Sequence, residues 1–155
     1  MSATSLLAIY GAGGVGRELR ELAAQAAGHT RKIALVADAK FAPTLPEGPA
    51  FFWEEFCRRF PPGKACFIIG VGDPEQRAAL AAKVQATGYS LERFIHPAAH
   101  VSGSARIEQG AVIYPGVFVS CGARLGYNTL LMAQAVLGHD TVLGEHSVGA
   151  ADDMS

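Results

Sequence analysis

From Val101 onward an aliphatic residue stands at every sixth position: Val101, Ile107, Ile113, Val119, Leu125, Leu131, Leu137 and Leu143. Four places after each comes Ala105, Ala111, Val117, Ala123, Thr129, Ala135, Thr141 and Ser147, all small or β-branched. A helix cannot use this period, because about 3.6 residues per turn would smear the aliphatics around the cylinder. A meander of hairpins needs turn signals farther apart. A coil of short parallel strands can use it. Each aliphatic then points inward and stacks on the one below, and the small residue lets the chain turn beside it. Ile95 with Ala99 adds a ninth unit. Residues 101–148 are therefore predicted to wind into a parallel β-helix.

Upstream the period is different. Leu6–Tyr10, Ile33–Ala37 and Cys66–Val71 are apolar runs of strand length. Helices are predicted over Arg17–Ala27, with Leu19, Leu22, Ala23 and Ala26 on one face and Gly28 as its stop, and over Phe51–Phe60, ended by Pro61-Pro62-Gly63. Phe41–Ala50, with its prolines, reads as loop. Asp73-Pro74-Glu75-Gln76 opens a third helix: Asp73 caps it, Pro74 suits its first position, Gln76 is placed to reach back, and Gly88 closes it. The order βαβαβα argues for a parallel sheet with helices packed against it.

Composition narrows the function. Of 155 residues half are hydrophobic, and the formal net charge is −1, so no basic footprint for nucleic acid is present. No apolar run approaches the roughly 20 residues of a membrane span. Met1-Ser2-Ala3-Thr4-Ser5-Leu6 lacks the basic flank and apolar stretch of a secretory signal. Cys57, Cys66 and Cys121 form no CxxC pair and are odd in number; they read as reduced, buried thiols of a cytoplasmic protein.

Gly11, Gly13 and Gly16 satisfy G-x-G-x-x-G between a strand and a helix, and Asp38 follows about 20 residues on, where a ribose-binding acid would stand. Backbone N–H groups of the Gly11-Ala12-Gly13-Gly14 turn can hold a pyrophosphate at the helix start. The turn, Asp38 and Gly72-Asp73 all fall at C-terminal ends of strands, where open parallel sheets bind ligands. Alone, this reads as NAD binding. The αβ part is little more than one mononucleotide half, which counts against an oxidoreductase. The plainest alternative is that the glycines only allow a tight turn and close packing.

Hexads that open with an aliphatic followed by Gly (Leu125-Gly126, Leu137-Gly138, Leu143-Gly144) look like the left-handed β-helix of hexapeptide acyltransferases. A Gly-rich βαβ domain, then Phe94-Ile95-His96-Pro97-Ala98-Ala99, then Gly138-His139-Asp140 within the hexads, resembles bacterial sugar acyltransferases. These include sialic acid O-acetyltransferases and N-acetyltransferases of UDP-4-amino-sugars. The resemblance runs from Leu7 to about Gly149. It implies a Rossmann-like nucleotide-sugar-binding domain over 1–93 and a left-handed β-helix over 94–155, with three hexads per coil. It also implies acetyl-coenzyme A as acyl donor, a nucleotide-linked sugar as acceptor and a homotrimer with the donor between neighbouring β-helices. His139 would be the general base and Asp140 its orienting carboxylate. Gly11, Gly13, Gly14, Gly16, Asp38, Gly72, Asp73 and Arg77 would line the acceptor site, Arg77 meeting a phosphate or lying on a solvated helix face.

The chain departs from that pattern in places. Met132 and Val148 stand where the family often has an asparagine and a second histidine, and Val15 where UDP-amino-sugar enzymes often have histidine. His146 matches no motif position; His96 reads as structural, His29 and His100 as surface residues. No histidine pair has metal-ligand spacing. Family members usually continue for several more coils. The chain is thus expected to be shortened, with weak or absent acetyl-coenzyme A binding and an open last coil that Asp152 and Asp153 only partly protect. The alternative to an active enzyme is a non-catalytic relative that keeps nucleotide-sugar binding and oligomerisation.

Overall fold

The computed structural model of the chain describes residues 5–26 and 30–151. The expectations for Met1–Thr4, Gly28, His29, Asp152 and Asp153 lie outside the described residues. The chain divides into two compact units, one of Met1–Val71 with Ala79–Leu91, the other of Gly72–Ala78 with Glu92–Ser155.

The elements before the hexads are β1 (Leu6–Tyr10), α1 (Gly14–Ala26), β2 (Ile33–Ala37), β3 (Ala50–Phe52), α2 (Trp53–Arg59), β4 (Ala65–Ile69) and α3 (Pro74–Ala86). The strands form one parallel sheet in the order β3-β2-β1-β4. Leu7 lies opposite Ile33 and Cys66, and Tyr10 opposite Val36 and Ile69. Every residue of β1 and β4 is buried, as continuous apolar runs covered on both faces must be. Several boundaries differ from the sequence reading; β4, expected over Cys66–Val71, runs over Ala65–Ile69. Helix α1 starts at Gly14, because the glycine turn runs straight into it. Ala50–Phe52, expected as loop and helix, forms a short half-buried edge strand opposite Leu35–Ala37. Phe56, Phe67 and Tyr89 fill the core of this unit, the Phe67 and Tyr89 rings meeting at 4.9 Å.

The hexads form two-residue strands: β5 (Phe94–Ile95), β6 (His100–Val101), β7 (Arg106–Ile107), β8 (Val112–Ile113), β9 (Phe118–Val119), β10 (Arg124–Leu125), β11 (Leu130–Leu131), β12 (Val136–Leu137), β13 (Val142–Leu143) and β14 (Val148–Gly149). They stack into three parallel sheets, β14-β11-β8-β5, β12-β9-β6 and β13-β10-β7. Phe94 faces Val112, Val112 faces Leu130 and Leu130 faces Val148, so the chain returns every 18 residues, three hexads to a coil. The stack fits the left-handed β-helix that the resemblance implies. Ile113, Val119, Leu125, Leu131 and Leu137 are buried on its axis, with Ala111, Val117, Ala123, Thr129 and Ala135 beside them. Val101, Ile107 and Leu143, in the outer coils, are half-buried.

The three faces differ outside. Phe94, Val112 and Leu130 are buried, Arg106, Arg124 and Val142 are exposed, and His100, Phe118 and Val136 form an exposed, mainly apolar stripe. His100 lies on the surface as expected, its ring stacked on Phe118 at 4.8 Å.

Within this unit Arg77 departs most from expectation. It lies neither on a solvated helix face nor toward an open site, being fully buried. Its Nε donates to the Asn128 carbonyl at 3.0 Å and its Nη2 to Asn128 Oδ1 at 2.8 Å, while Asn128 Nδ2 donates to the Arg77 carbonyl at 2.9 Å. Burial, partly offset by Tyr114, draws the guanidinium down to about 10. Asn128→Ala strips this buried cation of a side-chain acceptor, so a loss of about 2–3 kcal/mol in stability is expected from urea denaturation. Asn128 holds a φ of 59°. Asn128→Gly, which removes any strain from that φ, should be destabilised as well; a loss below about 0.5 kcal/mol in both variants would show that the pairing stabilises nothing.

Candidate functional site

Among the described residues two clusters are taken as candidates, one in each unit. In the first, β1 ends at Tyr10 and the chain turns at Gly11, whose φ is 139°. A Cβ on Gly11 would stand 2.5 Å from the Gly70 carbonyl oxygen, one on Gly16 would overlap the Gly11 carbonyl, and one on Gly70 would stand 2.6 Å from Ile9 Cγ2. These three glycines let helix and strands approach closely, and Gly70 carries no sign of that role in the sequence pattern. Gly13 and Gly14 are different. They are exposed, and a Cβ on either would meet nothing within 4 Å. That is the open backbone a phosphate needs if it is to approach the first N–H groups of α1.

Asp38, expected as a ribose-binding acid, follows β2, and one of its carboxylate oxygens is engaged by side chains of its own unit. Its Oδ1 accepts from Tyr10 Oη at 2.7 Å and from Lys83 Nζ at 2.8 Å, and Lys83 Nζ also donates to Tyr10 Oη at 2.7 Å. Lys83 lies 4.9 Å from the Trp53 ring centroid, a cation–π distance. Burial alone would raise the Asp38 carboxyl; the hydrogen bonds from Lys83 and Tyr10 outweigh it and hold the group below its ordinary value. Burial, then the Asp38 carboxylate, push the Tyr10 hydroxyl well above its ordinary value. The carboxylate expected to meet a ribose is thus tied into an internal cluster. Sequence reasoning misses Tyr10, Trp53 and Lys83 because their partners are remote in the chain.

Gly72, Asp73 and Arg77 belong to the second unit. Gly72 is exposed. Asp73 caps α3 as predicted, its Oδ2 accepting the Gln76 N–H at 2.9 Å. Arg77 is committed to Asn128.

The second cluster sits on a corner of the β-helix. Thr141 N–H donates to the Gly138 carbonyl at 3.2 Å, closing a turn in which Asp140 takes a φ of 59°. Left-handed geometry at the third position is the mark of a type II turn. His139 Nδ1 lies 3.2 Å from Asp140 Oδ2, and both side chains are 78% exposed. With the proton on Nδ1 donated to the carboxylate, Nε2 keeps its lone pair for an incoming acid proton. The pair is an arrangement that can act as base and orienter.

The other histidines and the cysteines lie elsewhere. His146 Nδ1 is 2.9 Å from Asn128 Nδ2, which joins it to the Arg77 network. His96 has a local role, its Nδ1 accepting the Ala98 N–H at 3.0 Å. Met132 and Val148 are half-buried. Of the cysteines, Cys66 is buried as expected; Cys57 is only half-buried and Cys121 is exposed, because Cys121 occupies a corner position one coil below His139. Among the described residues no cluster of three or more His, Cys, Asp or Glu could hold a metal ion. No helix among them is long and apolar enough to cross a membrane.

No family model matches the chain. Solved structures do. The acetyltransferase domain of PglB from Neisseria gonorrhoeae is 29% identical, with 94% of this chain and 70% of that one covered at a TM-score of 0.82; that domain has also been solved with acetyl coenzyme A. GDP-perosamine N-acetyltransferase from Caulobacter crescentus, a histidine-to-alanine variant in complex with CoA and GDP-perosamine, is 25% identical, with 95% and 69% covered at 0.78. WeeI from Acinetobacter baumannii, at 19% identity with 94% and 69% covered and a TM-score of 0.83, is a likeness of fold alone. In its hexads and its coil the chain is similar to the acetyltransferase domain of PglB and to GDP-perosamine N-acetyltransferase, two bacterial sugar acetyltransferases.

Proposed function

We propose that the chain transfers an acetyl group from acetyl-coenzyme A to an amine or hydroxyl of a nucleotide-linked sugar. The observation that carries the reading is the His139–Asp140 contact at 3.2 Å on an exposed corner, on a coil like those of the acetyltransferases above. Acetyl-coenzyme A supplies a thioester carbonyl. His139 Nε2 takes the acceptor's proton as its nitrogen or oxygen attacks that carbonyl, Asp140 holds the ring and stabilises the imidazolium, and the proton is then available to the departing thiolate.

The acceptor's diphosphate is assigned to the Gly11–Gly14 turn and the first N–H groups of α1, in a Rossmann-like domain of residues 1–93 that precedes the β-helix domain of 94–155. The strand order β3-β2-β1-β4 with a glycine turn after β1 supports that reading. Asp38, with Oδ1 engaged by Tyr10 and Lys83, offers Oδ2 to a ligand. Cys57, Cys66 and Cys121 are thiols rather than disulfide halves, in keeping with a cytoplasmic setting. The stripe of Phe118 and Val136, 44% and 49% exposed, is the surface we assign to a homotrimer. A non-catalytic relative that only binds nucleotide-sugar is the second reading; Met132 and Val148, at positions where the family often has polar groups, favour it.

Calorimetry with UDP, GDP, their sugar conjugates and NAD is expected to give heat with a nucleotide diphosphate or its sugar. Tight NAD binding with no heat from any sugar nucleotide would sink the acceptor assignment. In a coupled thiol-release assay, His139→Ala should lower kcat by about a hundredfold to ten-thousandfold while acceptor binding persists, and Asp140→Asn should cost less. Unchanged turnover in His139→Ala excludes it as the base; nucleotide-sugar binding without turnover in the unaltered chain favours the second reading. Light scattering should give a trimer mass that Phe118→Glu or Val136→Glu reduces to the monomer's, and a monomer in the unaltered chain at micromolar concentration refutes that assembly.

A further inference from the structure

The coil turns through a left-handed residue at every sixth position from Gly110 to His146: Gly110, Gly116, Gly122, Asn128, Gln134, Asp140 and His146, with φ between 59° and 80°. Four of these carry side chains, so the turn does not itself demand glycine. Gly122 has a different reason. It lies one coil below Asp140, and a Cβ on it would overlap Asp140 Oδ1. The Gly122 N–H is held by Ser104 Oγ at 3.0 Å, which anchors the corner beneath the carboxylate. The Asp140 N–H donates to the Cys121 carbonyl at 3.0 Å, which fixes the corner above it. With the backbone held from both sides, the side chain must be the part that gives way.

We propose that Gly122 is a positioning residue for the His139–Asp140 pair. Its bare Cα leaves the space in which the Asp140 carboxylate lies, with Oδ1 over Gly122 and Oδ2 turned to His139 Nδ1. Any side chain there drives the carboxylate into another rotamer and breaks the contact with the imidazole, so that Gly122 acts through Asp140. This rests on the reading of His139 as the base. Gly116 supplies an internal control. A Cβ on it would stand 2.5 Å from Gln134 Nε2, the same crowding at a corner with no part in the chemistry.

The test uses Gly122→Ala, Asp140→Asn, their double variant and Gly116→Ala in the full chain. Two readouts are needed: kcat and KM for acetyl transfer, and the His139 tautomer from long-range nitrogen–proton NMR. Gly122→Ala is expected to lower kcat about fivefold to tenfold at unchanged KM, the range that loss of one exposed, screened partner allows. It should also remove the preference for the Nδ1-protonated tautomer. In the Asp140→Asn background the same change should have no further effect, because the group it displaces is already neutral. Gly116→Ala should behave as the unaltered chain. Normal kcat and tautomer in Gly122→Ala overturn the proposal, as do defects in Gly122→Ala and Asp140→Asn that multiply. If Gly122→Ala does not fold, Gly122→Asn, whose side chain tolerates the left-handed region, replaces it with the same expectations. If the unaltered chain transfers no acetyl group to any nucleotide sugar, the function falls. The tautomer then decides Gly122 by itself: an unchanged tautomer in the variant overturns its role.

Discussion

A strand of two residues makes too few hydrogen bonds to stand alone, so each strand of the β-helix exists only because another lies 18 residues away in a neighbouring coil. Arg124 is opposite Arg106 below and Val142 above, and Leu125 is opposite Ile107 and Leu143. One inserted or deleted residue would turn every later inward aliphatic outward and break the pairing at once. The hexad period is therefore a registration rule as much as a hydrophobic pattern. Leu125, Leu131 and Leu137 are buried to the last few percent of their surface because the rule is kept. Everything displayed on a corner inherits that order. His139 and Asp140 are placed by the coils beneath them, and not by the local turn alone.

That dependence explains which parts of the molecule are legible in the sequence. The hexad stack is readable because its signal is one-dimensional: aliphatics at one position, small residues four later, repeated eight times. The Asp73 cap and the strands at Leu6–Tyr10 and Ile33–Ala37 are readable because their causes lie within a few residues. The left-handed corners leave a trace too. Gly110, Gly116 and Gly122 followed by Asn128 keep the same period, and glycine and asparagine are the residues that tolerate that geometry. Their continuation through Gln134, Asp140 and His146 hides the series, since glutamine and histidine carry no such signal on their own.

The partners that the sequence does not reveal share a different cause. Asp38 looks like a ribose acid, and Arg77 like a phosphate ligand or a solvated residue, because each matches a local pattern. Their partners within the chain lie far along it: Lys83 is 45 residues from Asp38, and Asn128 is 51 residues from Arg77. No spacing rule reaches that far. Nor is the short strand at Ala50–Phe52 readable, since three residues on a sheet edge leave no alternation to detect. The choice of cation is nonetheless sensible afterwards. Arg77 is fully buried and meets a carbonyl and an amide oxygen, a task suited to a planar, weakly hydrated fork. Lys83 keeps part of its ammonium in water while it bridges a phenol and a carboxylate over an indole.

The same geometry separates the two histidines of the last described coil. Asn128 cannot be turned over, because Oδ1 accepts from Arg77 Nη2 and Nδ2 donates to the Arg77 carbonyl. Its Nδ2 must therefore also be the donor to His146 Nδ1, which fixes the His146 proton on Nε2, the atom 3.8 Å from Glu145. His139 is in the opposite situation. Its Nδ1 faces a carboxylate, which accepts only, so the proton sits on Nδ1 and the lone pair on Nε2. Two imidazoles seven positions apart are thus held in opposite tautomers by an amide and a carboxylate. In that arrangement Nε2 of His139 can take a proton from an acceptor, whereas Nε2 of His146 already carries one. What sits behind each ring decides which nitrogen keeps its lone pair, and the hydrogen bonds of Arg77 are what make that tautomer firm at His146.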